Sequence, residues 1–220
     1  MCSSDLPFYV YIMLFLRANM PQEQKQNPLF VFPFFCDRIG GMNIPIEDIY
    51  DFHRVRTACH IQCMNYFAGL LGYHFPEHDN DKGIEPMRTG YAYKNYANYH
   101  PDYNLPDNYE ELAKIAISTH HEHASHHIDF YGGDVSKIPD IHVMEMVADW
   151  ASANFEQLYV LHDCPYNTVL EWFNAVMGNK NWSKPQLNMI HRAMQTIEEK
   201  MDQNAVMKIW EPTLAISALE

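Results

Sequence analysis

The sequence predicts an all-α protein, and three observations support this fold class. Its 220 residues include only 9 glycines beside 13 methionines and many alanines, leucines and glutamates, a composition that favours helix. From Pro45 onwards, apolar residues recur every three or four positions, which is the spacing of one helical face. A hydrophobic fraction of 47% supplies enough apolar side chains for a folded core.

The first 43 residues differ from the rest and predict an irregular apolar N-terminal extension. Two aromatic and β-branched runs, 8–16 and 30–35, form either a short hairpin or a packed apolar segment. Residues 2–6 resemble a translated sequencing adapter, so the extension could be partly artefactual, and we assign it no function. A helical domain is predicted over residues 44–210, followed by a C-terminal tail over residues 211–220.

The first predicted helix begins after Pro45 and continues to Leu71, and Pro76 ends or interrupts this element. Residues 83–106 combine glycines, prolines and several tyrosines, which predicts a long loop of the kind that covers functional sites.

Asp107 with Glu110 predicts a capping box that opens the next helix, which Gly132 and Gly133 end. Pro139 opens a third helix with an apolar stripe. A fourth helix is predicted over about 166–177 and a last one from Ser183.

Charge and cysteine content limit the classes of partner and compartment. Lys and Arg number 15 against 28 Asp and Glu, a net charge of −13 that argues against nucleic-acid polymers and anionic membranes. The longest apolar run, 7–16, is too short to span a bilayer. Five cysteines form an odd, sparse set, which favours a reducing compartment. We therefore expect a cytoplasmic protein with a small-molecule partner, and the sequence specifies no oligomeric state.

Histidine content points to metal binding, because imidazole is the commonest metal ligand. Of 13 histidines, eleven lie between His53 and His142. His78-Asp79 joins an imidazole and a carboxylate at a helix end, but two ligands cannot complete a coordination shell. The remaining candidates are His60, the cluster His120, His121, His123, His126 and His127, and Asp149 with Glu145 one turn before it.

Helical spacing sorts these candidates. In a regular helix His120, His123 and His127 share one face, and Glu145 shares a face with Asp149 on the next helix. Two converging faces rich in imidazole and carboxylate around His78-Asp79 suit a centre of two ions that activates water and clamps a phosphoryl group.

The order of these residues resembles the HD-domain superfamily of helical, metal-dependent phosphohydrolases. The chain is more similar still to a family of bacterial and phage proteins of unknown function with an HD-like pattern. The stretches that carry the resemblance are 78–82, 120–131 and 145–150, and the similarity covers about residues 45–178.

This resemblance implies an HD-domain-like helical bundle with one or two divalent ions, for which Mn, Fe, Zn, Co and Mg remain open. It implies that the core ligands are His60, His78, Asp79 and Asp149. It gives His120 and His126, or His127, as the extra ligands of two-ion members. Lys82 resembles the lysine that steadies a phosphate oxygen. Hydrolase activity is carried over from the superfamily by analogy.

The expected reaction is hydrolysis of a small, nucleotide-like phosphoester by metal-activated water. Lys82, with Arg54 or Arg56 as weaker candidates, would neutralise phosphate charge, and Asp81 or His123 would protonate the leaving oxygen. Two alternative functions remain: an HD-type di-iron oxygenase, and a non-catalytic binding protein stabilised by metal.

Several residues keep two interpretations. His53 could replace His60 as a ligand, and Glu145 is either a group that orients a ligand histidine or a surface residue. Cys59 and Cys63 are either zinc ligands or buried thiols. Five tyrosines either stack on a base or sugar or pack within the protein: Tyr91, Tyr93, Tyr96, Tyr99 and Tyr103.

Overall fold

The computed structural model describes residues 44–218, which form seven α-helices and no β-strand within that range. The all-α prediction is confirmed. The helices are α1 (Ile46–Leu70), α2 (Met87–Tyr99), α3 (Tyr109–His123), α4 (Asp140–Phe155), α5 (Val169–Val176), α6 (Lys184–Lys200) and α7 (Gln203–Ser217). A π-helical turn, Glu156–Val160, extends α4, and 3₁₀ turns span Asn80–Gly83, Ile128–Tyr131 and Val135–Lys137.

Helix α1 lies at the centre and packs against α2, α4 and α7, while α3 packs on α2 and α6 on α4. The main core contains fully buried Met64 and Phe67 from α1, Val147 from α4, Ile190 from α6 and Trp210 from α7. Burial of a large apolar side chain of this kind stabilises the fold by about 1.5–3 kcal/mol. The contact between α1 and α4 brings their polar positions together as well, and these carry His60 and Asp149.

The long loop predicted over residues 83–106 is wrong, because most of it is helix α2. Gly90 lies inside this helix, and a Cβ atom there would come within 2.3 Å of the Leu112 carbonyl oxygen and 2.4 Å of the Ala116 Cβ. The glycine therefore permits the close contact between α2 and α3 and is not a helix breaker. The tyrosines of this segment also pack: Tyr96 is fully buried and makes an edge contact with Phe52, at 5.5 Å between ring centroids.

Substitution of Gly90 by alanine should separate α2 from α3, because the added methyl group meets backbone and a short side chain that cannot rotate away. We expect the free energy of unfolding to fall by about 1–3 kcal/mol, the usual cost of overpacking. Urea unfolding followed by circular dichroism measures this. The matched control is Gly69→Ala on α1, where an added Cβ has no neighbour within 4 Å, so it should not destabilise. Equal losses in both variants would contradict the packing argument.

Helix boundaries show which local signals were sound. The capping box at Ser183 is present, with Gln186 as its partner, and α6 begins there as predicted. The Asp107 capping box is wrong, because Asn108 precedes α3 and makes no side-chain cap. Helix α3 also ends at His123, well before Gly132.

The C-terminal end of the described range contains a helix that the sequence reasoning missed. Helix α7 runs from Gln203 to Ser217, so residues 211–217 continue a helix and are not a tail. The residues from Ile44 onwards form one unit. The extension predicted over residues 1–43 lies outside the described residues.

Between residues 44 and 218, no helix has both the length and the apolar character that a bilayer span requires.

Candidate metal centre

A buried polar cluster contains two sets of side chains, and three parts of the chain supply the first set. His60 lies on α1 and Asp149 on α4, where the two helices pack together. His78 and Asp79 come from the connection that follows α1, immediately before the 3₁₀ turn Asn80–Gly83. The backbone of Asp79 is left-handed, with φ 59° and ψ 11°, a conformation uncommon for residues other than glycine and often found at functional sites.

Four atoms of these residues surround one point. Nε2 of His60 lies 2.9 Å from Oδ1 of Asp149 and 3.5 Å from Oδ2 of Asp79. Nε2 of His78 lies 3.6 Å from the same Asp149 oxygen and 3.7 Å from the same Asp79 oxygen. Ligand atoms about 2.1 Å from a shared ion would lie about 3.0 Å apart at right angles and about 3.4 Å apart in a tetrahedron. The observed separations therefore suit a metal ion.

A second set of atoms faces the other oxygen of Asp79. Oδ1 of Asp79 lies 3.2 Å from Nε2 of His120 and 3.6 Å from Nε2 of His126. His120 is on the last turn of α3, and His126 follows that helix on non-helical chain. His126 is also close to His78, with 4.2 Å between the ring centroids. The two sets are adjacent and share the carboxylate of Asp79, and a ring nitrogen of His126 also lies within 4.8 Å of ligand atoms of His78 and Asp149.

Hydrogen bonds on the far side of three histidines fix which ring nitrogen faces the cluster. Glu145 Oε1 accepts from Nδ1 of His78 at 3.1 Å, and Asp81 Oδ2 accepts from Nδ1 of His120 at 2.7 Å. The Ser152 hydroxyl donates to the His60 carbonyl at 3.3 Å, so its oxygen accepts from Nδ1 of His60 at 3.1 Å. These hydrogen bonds turn Nδ1 of each histidine outward and leave Nε2 facing the cluster, which is the arrangement of metal-ligating histidines.

Several buried atoms of the cluster have no hydrogen-bond partner within the described residues. They are Nε2 of His78, His120, His126 and His127, and Oδ1 of Asp79. Buried polar atoms are normally satisfied, because an unpaired one costs about 1–3 kcal/mol. All five carry lone pairs, and a cation satisfies lone pairs. The donor set of imidazole nitrogens and carboxylate oxygens is the one that Zn²⁺, Mn²⁺ and iron bind, so the residues fit divalent ions.

The carboxylates create a strongly negative environment. Burial alone would raise the pKa of Asp79, but the charges of Lys82 and His78 hold this pKa well below its usual range. Burial alone would also lower the pKa of His78, yet the carboxylates of Asp79 and Asp149 raise it to about 10. A proton on His78 and a cation therefore compete for the same negative charge.

Lys82 and Tyr91 form one wall of the cluster. The Lys82 ammonium donates to Oδ2 of Asp79 at 2.6 Å and lies 4.6 Å from the centre of the Tyr91 ring. Nε2–H of His53 donates to the Lys82 carbonyl oxygen at 3.1 Å, while Nδ1 of His53 accepts from Asn95 at 2.9 Å. Both nitrogens of His53 are thus occupied, and this histidine holds the turn that carries Lys82 instead of joining the ligand set.

The structure brings together most of the residues that the sequence singled out. Groups that could hold an ion include His60, His78, Asp79, Asp81, His120, His126, His127 and Asp149. The expected helical face of His120, His123 and His127 is wrong, because α3 ends at His123 and the chain from Ala124 to His127 forms a non-helical turn.

The remaining candidates lie elsewhere. His123 is exposed, and its ring bonds to the Thr119 carbonyl oxygen on its own helix. The surface residue Arg54 pairs with Asp51, and Arg56 pairs with Glu156. Cys63 is a buried thiol whose pKa burial raises to about 12. No metal-binding group among the described residues contains a cysteine.

Ser152 is the part of the site that sequence reasoning missed. Ser152 lies three residues after Asp149, so helical spacing could have placed it on the same face. Tyr91 was named only as one of five tyrosines with two interpretations, and no sequence signal placed its ring beside the Lys82 ammonium.

Substitution of Glu145 by glutamine should weaken ion binding, because the amide can no longer take the full charge-assisted hydrogen bond from His78. Loss of such an outer partner typically costs about 10- to 100-fold in metal affinity. Isothermal titration with Mn²⁺ measures the change. The matched control is Glu122→Gln on the exposed side of α3, where the glutamate accepts a hydrogen bond from Ser118. Equal affinities for the two variants would show that Glu145 does not orient a ligand.

Comparison with known proteins gives one family. No curated protein and no solved structure matches the chain. A family model described as a family of unknown function, DUF5662, matches residues 50–203, which contain every residue of the cluster. Because the match spans well over half of the chain, this protein belongs to the DUF5662 family of unknown function.

Proposed function

We propose that this protein is a metal-dependent phosphohydrolase with two divalent ions that share the carboxylate of Asp79. The observation that carries the proposal is the division of the buried ligand atoms into two sets, one at each oxygen of that carboxylate. The order of the residues along the chain, which resembles the HD-domain superfamily, also supports it.

The two positions have different donors. His60, His78 and Asp149 would hold one ion at Oδ2 of Asp79, and His120 and His126 would hold the other at Oδ1. When bound, such a pair supplies Lewis acidity that activates water and stabilises charge on a phosphoryl group.

The residues of the chain supply the rest of the proposed chemistry. Lys82 places an ammonium beside Asp79, where it can pair with an anionic phosphoryl oxygen. The Tyr91 ring limits the movement of this ammonium. The side chain of Asp149 is 16% exposed and that of Lys82 10%, so solvent reaches the cluster on this side.

Asp81 receives a different role from the one expected. Partial burial opposes ionisation, but the hydrogen bond from His120 lowers the pKa of Asp81. This carboxylate therefore stays ionised at neutral pH and orients His120; it does not donate a proton. A small phosphoester is the proposed substrate, because a net charge of −13 disfavours a polyanionic polymer.

Substitution of Lys82 by glutamine tests the proposed substrate class. We expect kcat/KM for phosphomonoesters to fall about 10- to 100-fold, because one charged hydrogen bond to the reacting group is lost. The ion content should stay unchanged. The assay uses a panel of nucleotides and sugar phosphates with Mn²⁺ or Co²⁺, with and without a chelator. Lys137→Gln is the control, because Lys137 is exposed and pairs with the exposed Asp134. An ion-loaded wild type without turnover on the panel would contradict the proposal.

The abundance of imidazole favours one second candidate, a di-iron oxygenase. Five histidines present ring nitrogens to the cluster, and imidazole suits iron as well as zinc. Oxygen uptake by the iron-loaded protein, with an EPR signal from coupled iron, would favour this function over hydrolysis. Loss of thermal stability on chelation without turnover in either assay would instead favour a structural role for the ions.

A further inference from the structure

His127 is a partly buried imidazole for which the proposed two-ion centre has no role so far. Its Nε2 is buried and lacks a hydrogen-bond partner. One ring nitrogen each from His127, His120 and His126 lies within 4.8 Å of the other two. His127 thus presents a lone pair to the side of the cluster that faces Oδ1 of Asp79.

The chain around His127 holds the ring in this place. The His127 backbone N–H donates to the Ala124 carbonyl oxygen at 3.0 Å, which closes a tight turn after α3. The His127 ring stacks on His121 with 4.0 Å between centroids and meets His120 edge-on at 4.7 Å. Nδ1 of His121 in turn lies 3.4 Å from a carboxylate oxygen of Asp129. Stacking on one side and an edge contact on the other leave the ring little freedom to turn away.

On the basis of the proposed function, we propose that His127 is a third imidazole ligand of the ion at Oδ1 of Asp79. This position would then select a borderline transition ion over Mg²⁺. Three imidazoles and one carboxylate form a donor set typical of Zn²⁺, Co²⁺ or Fe²⁺. Mg²⁺ requires oxygen ligands in octahedral geometry and keeps several waters. The position at Oδ2 has two imidazoles and two carboxylates, so its donor atoms form the harder ligand set of the two.

The experiment titrates the full chain, freed of metal, with Co²⁺, whose visible absorption reports its ligands. We expect two Co²⁺ per wild-type chain, and a tenfold excess of Mg²⁺ over Co²⁺ should leave at least the ion at Oδ1 in place. In His127→Gln, the affinity for one of the two Co²⁺ ions should fall by more than the roughly 10- to 100-fold that is typical when an outer partner is lost. The visible absorption of that Co²⁺ should also change. The control is His123→Gln, an exposed histidine of the same run, which should bind as wild type does.

A second measurement needs no variant. In wild-type protein loaded with Co²⁺, paramagnetically shifted imidazole N–H signals should number five, from His60, His78, His120, His126 and His127. Four signals, or an unchanged second Co²⁺ in a folded His127→Gln chain, would overturn the role of His127 while the two-ion centre stands. Binding of no Co²⁺, or of a single ion, by the wild type would overturn both this inference and the proposed centre.

Discussion

Replacing Asp79 by alanine should remove both ions, because each of its carboxylate oxygens faces a different set of ligand atoms. Elemental analysis of the purified variant should find almost no transition metal where the wild type carries two ions per chain. The stabilisation by added Mn²⁺ should also disappear. In the wild type, an ion at 100 times its Kd adds about 2.7 kcal/mol to the free energy of unfolding for each site.

The Asp79→Ala chain must be shown to fold, since the change also leaves Lys82 without its partner. Circular dichroism of the metal-free proteins provides this test, and Asp107→Ala, at an exposed position before α3, is the matched control. Retention of one ion by a folded Asp79→Ala chain would show that the carboxylate is not shared and that the two sets of ligands act separately.

Replacing Glu156 by glutamine should cause the largest loss of stability outside the cluster. Arg56 donates to both oxygens of Glu156, from Nε at 2.8 Å and from a terminal nitrogen, and the Tyr99 hydroxyl donates at 2.9 Å. Breaking a buried ion pair by removal of one partner costs about 3–5 kcal/mol, because the other charge stays buried. Urea unfolding at neutral pH measures the loss.

The loss of stability in Glu156→Gln should be larger at neutral pH than at acid pH. Burial opposes ionisation, but Arg56 holds the pKa of Glu156 below its ordinary value of 4.5. The carboxylate therefore adds stability above the unfolded pKa, and this contribution is lost as pH falls through the folded value. The difference between wild type and Glu156→Gln should be full at pH 7 and shrink below about pH 4.5.

A matched control separates this buried pair from ordinary surface charge. Asp51→Asn removes a carboxylate that pairs with Arg54, but both of those side chains are nearly half exposed, so the cost should stay below about 1 kcal/mol. Similar losses for Glu156→Gln and Asp51→Asn, or a pH-independent difference for Glu156→Gln, would contradict the role given to this ion pair.

Local sequence signals predicted the parts of this protein that local physics determines. The spacing of apolar residues predicted α1 and α4, and the polar residues His60 and Asp149 on these helices were among the candidate ligands. Ser183 correctly predicted the start of α6. Each of these inferences depends on residues within one or two helical turns.

The errors arose where distant parts of the chain determine the structure. Gly90 was interpreted as a loop residue, although the contact with α3 requires a residue without a side chain at that point of α2. His127 was placed on a helical face with His120 and His123, but the chain leaves α3 at Ala124 and brings the ring of the neighbouring His126 close to His78. The pairing of Glu156 with Arg56, 100 positions away in the sequence, could not be predicted without the packing of α1 on α4.

Anomalous diffraction from crystals grown with Mn²⁺ tests the central claim most directly, because it locates ions independently of activity. The account predicts two peaks, one among His60, His78, Asp149 and Oδ2 of Asp79, and one between Oδ1 of Asp79 and the ring nitrogens of His120 and His126. A map without a peak at Asp79, in crystals where Mn²⁺ binds surface carboxylates, would contradict it.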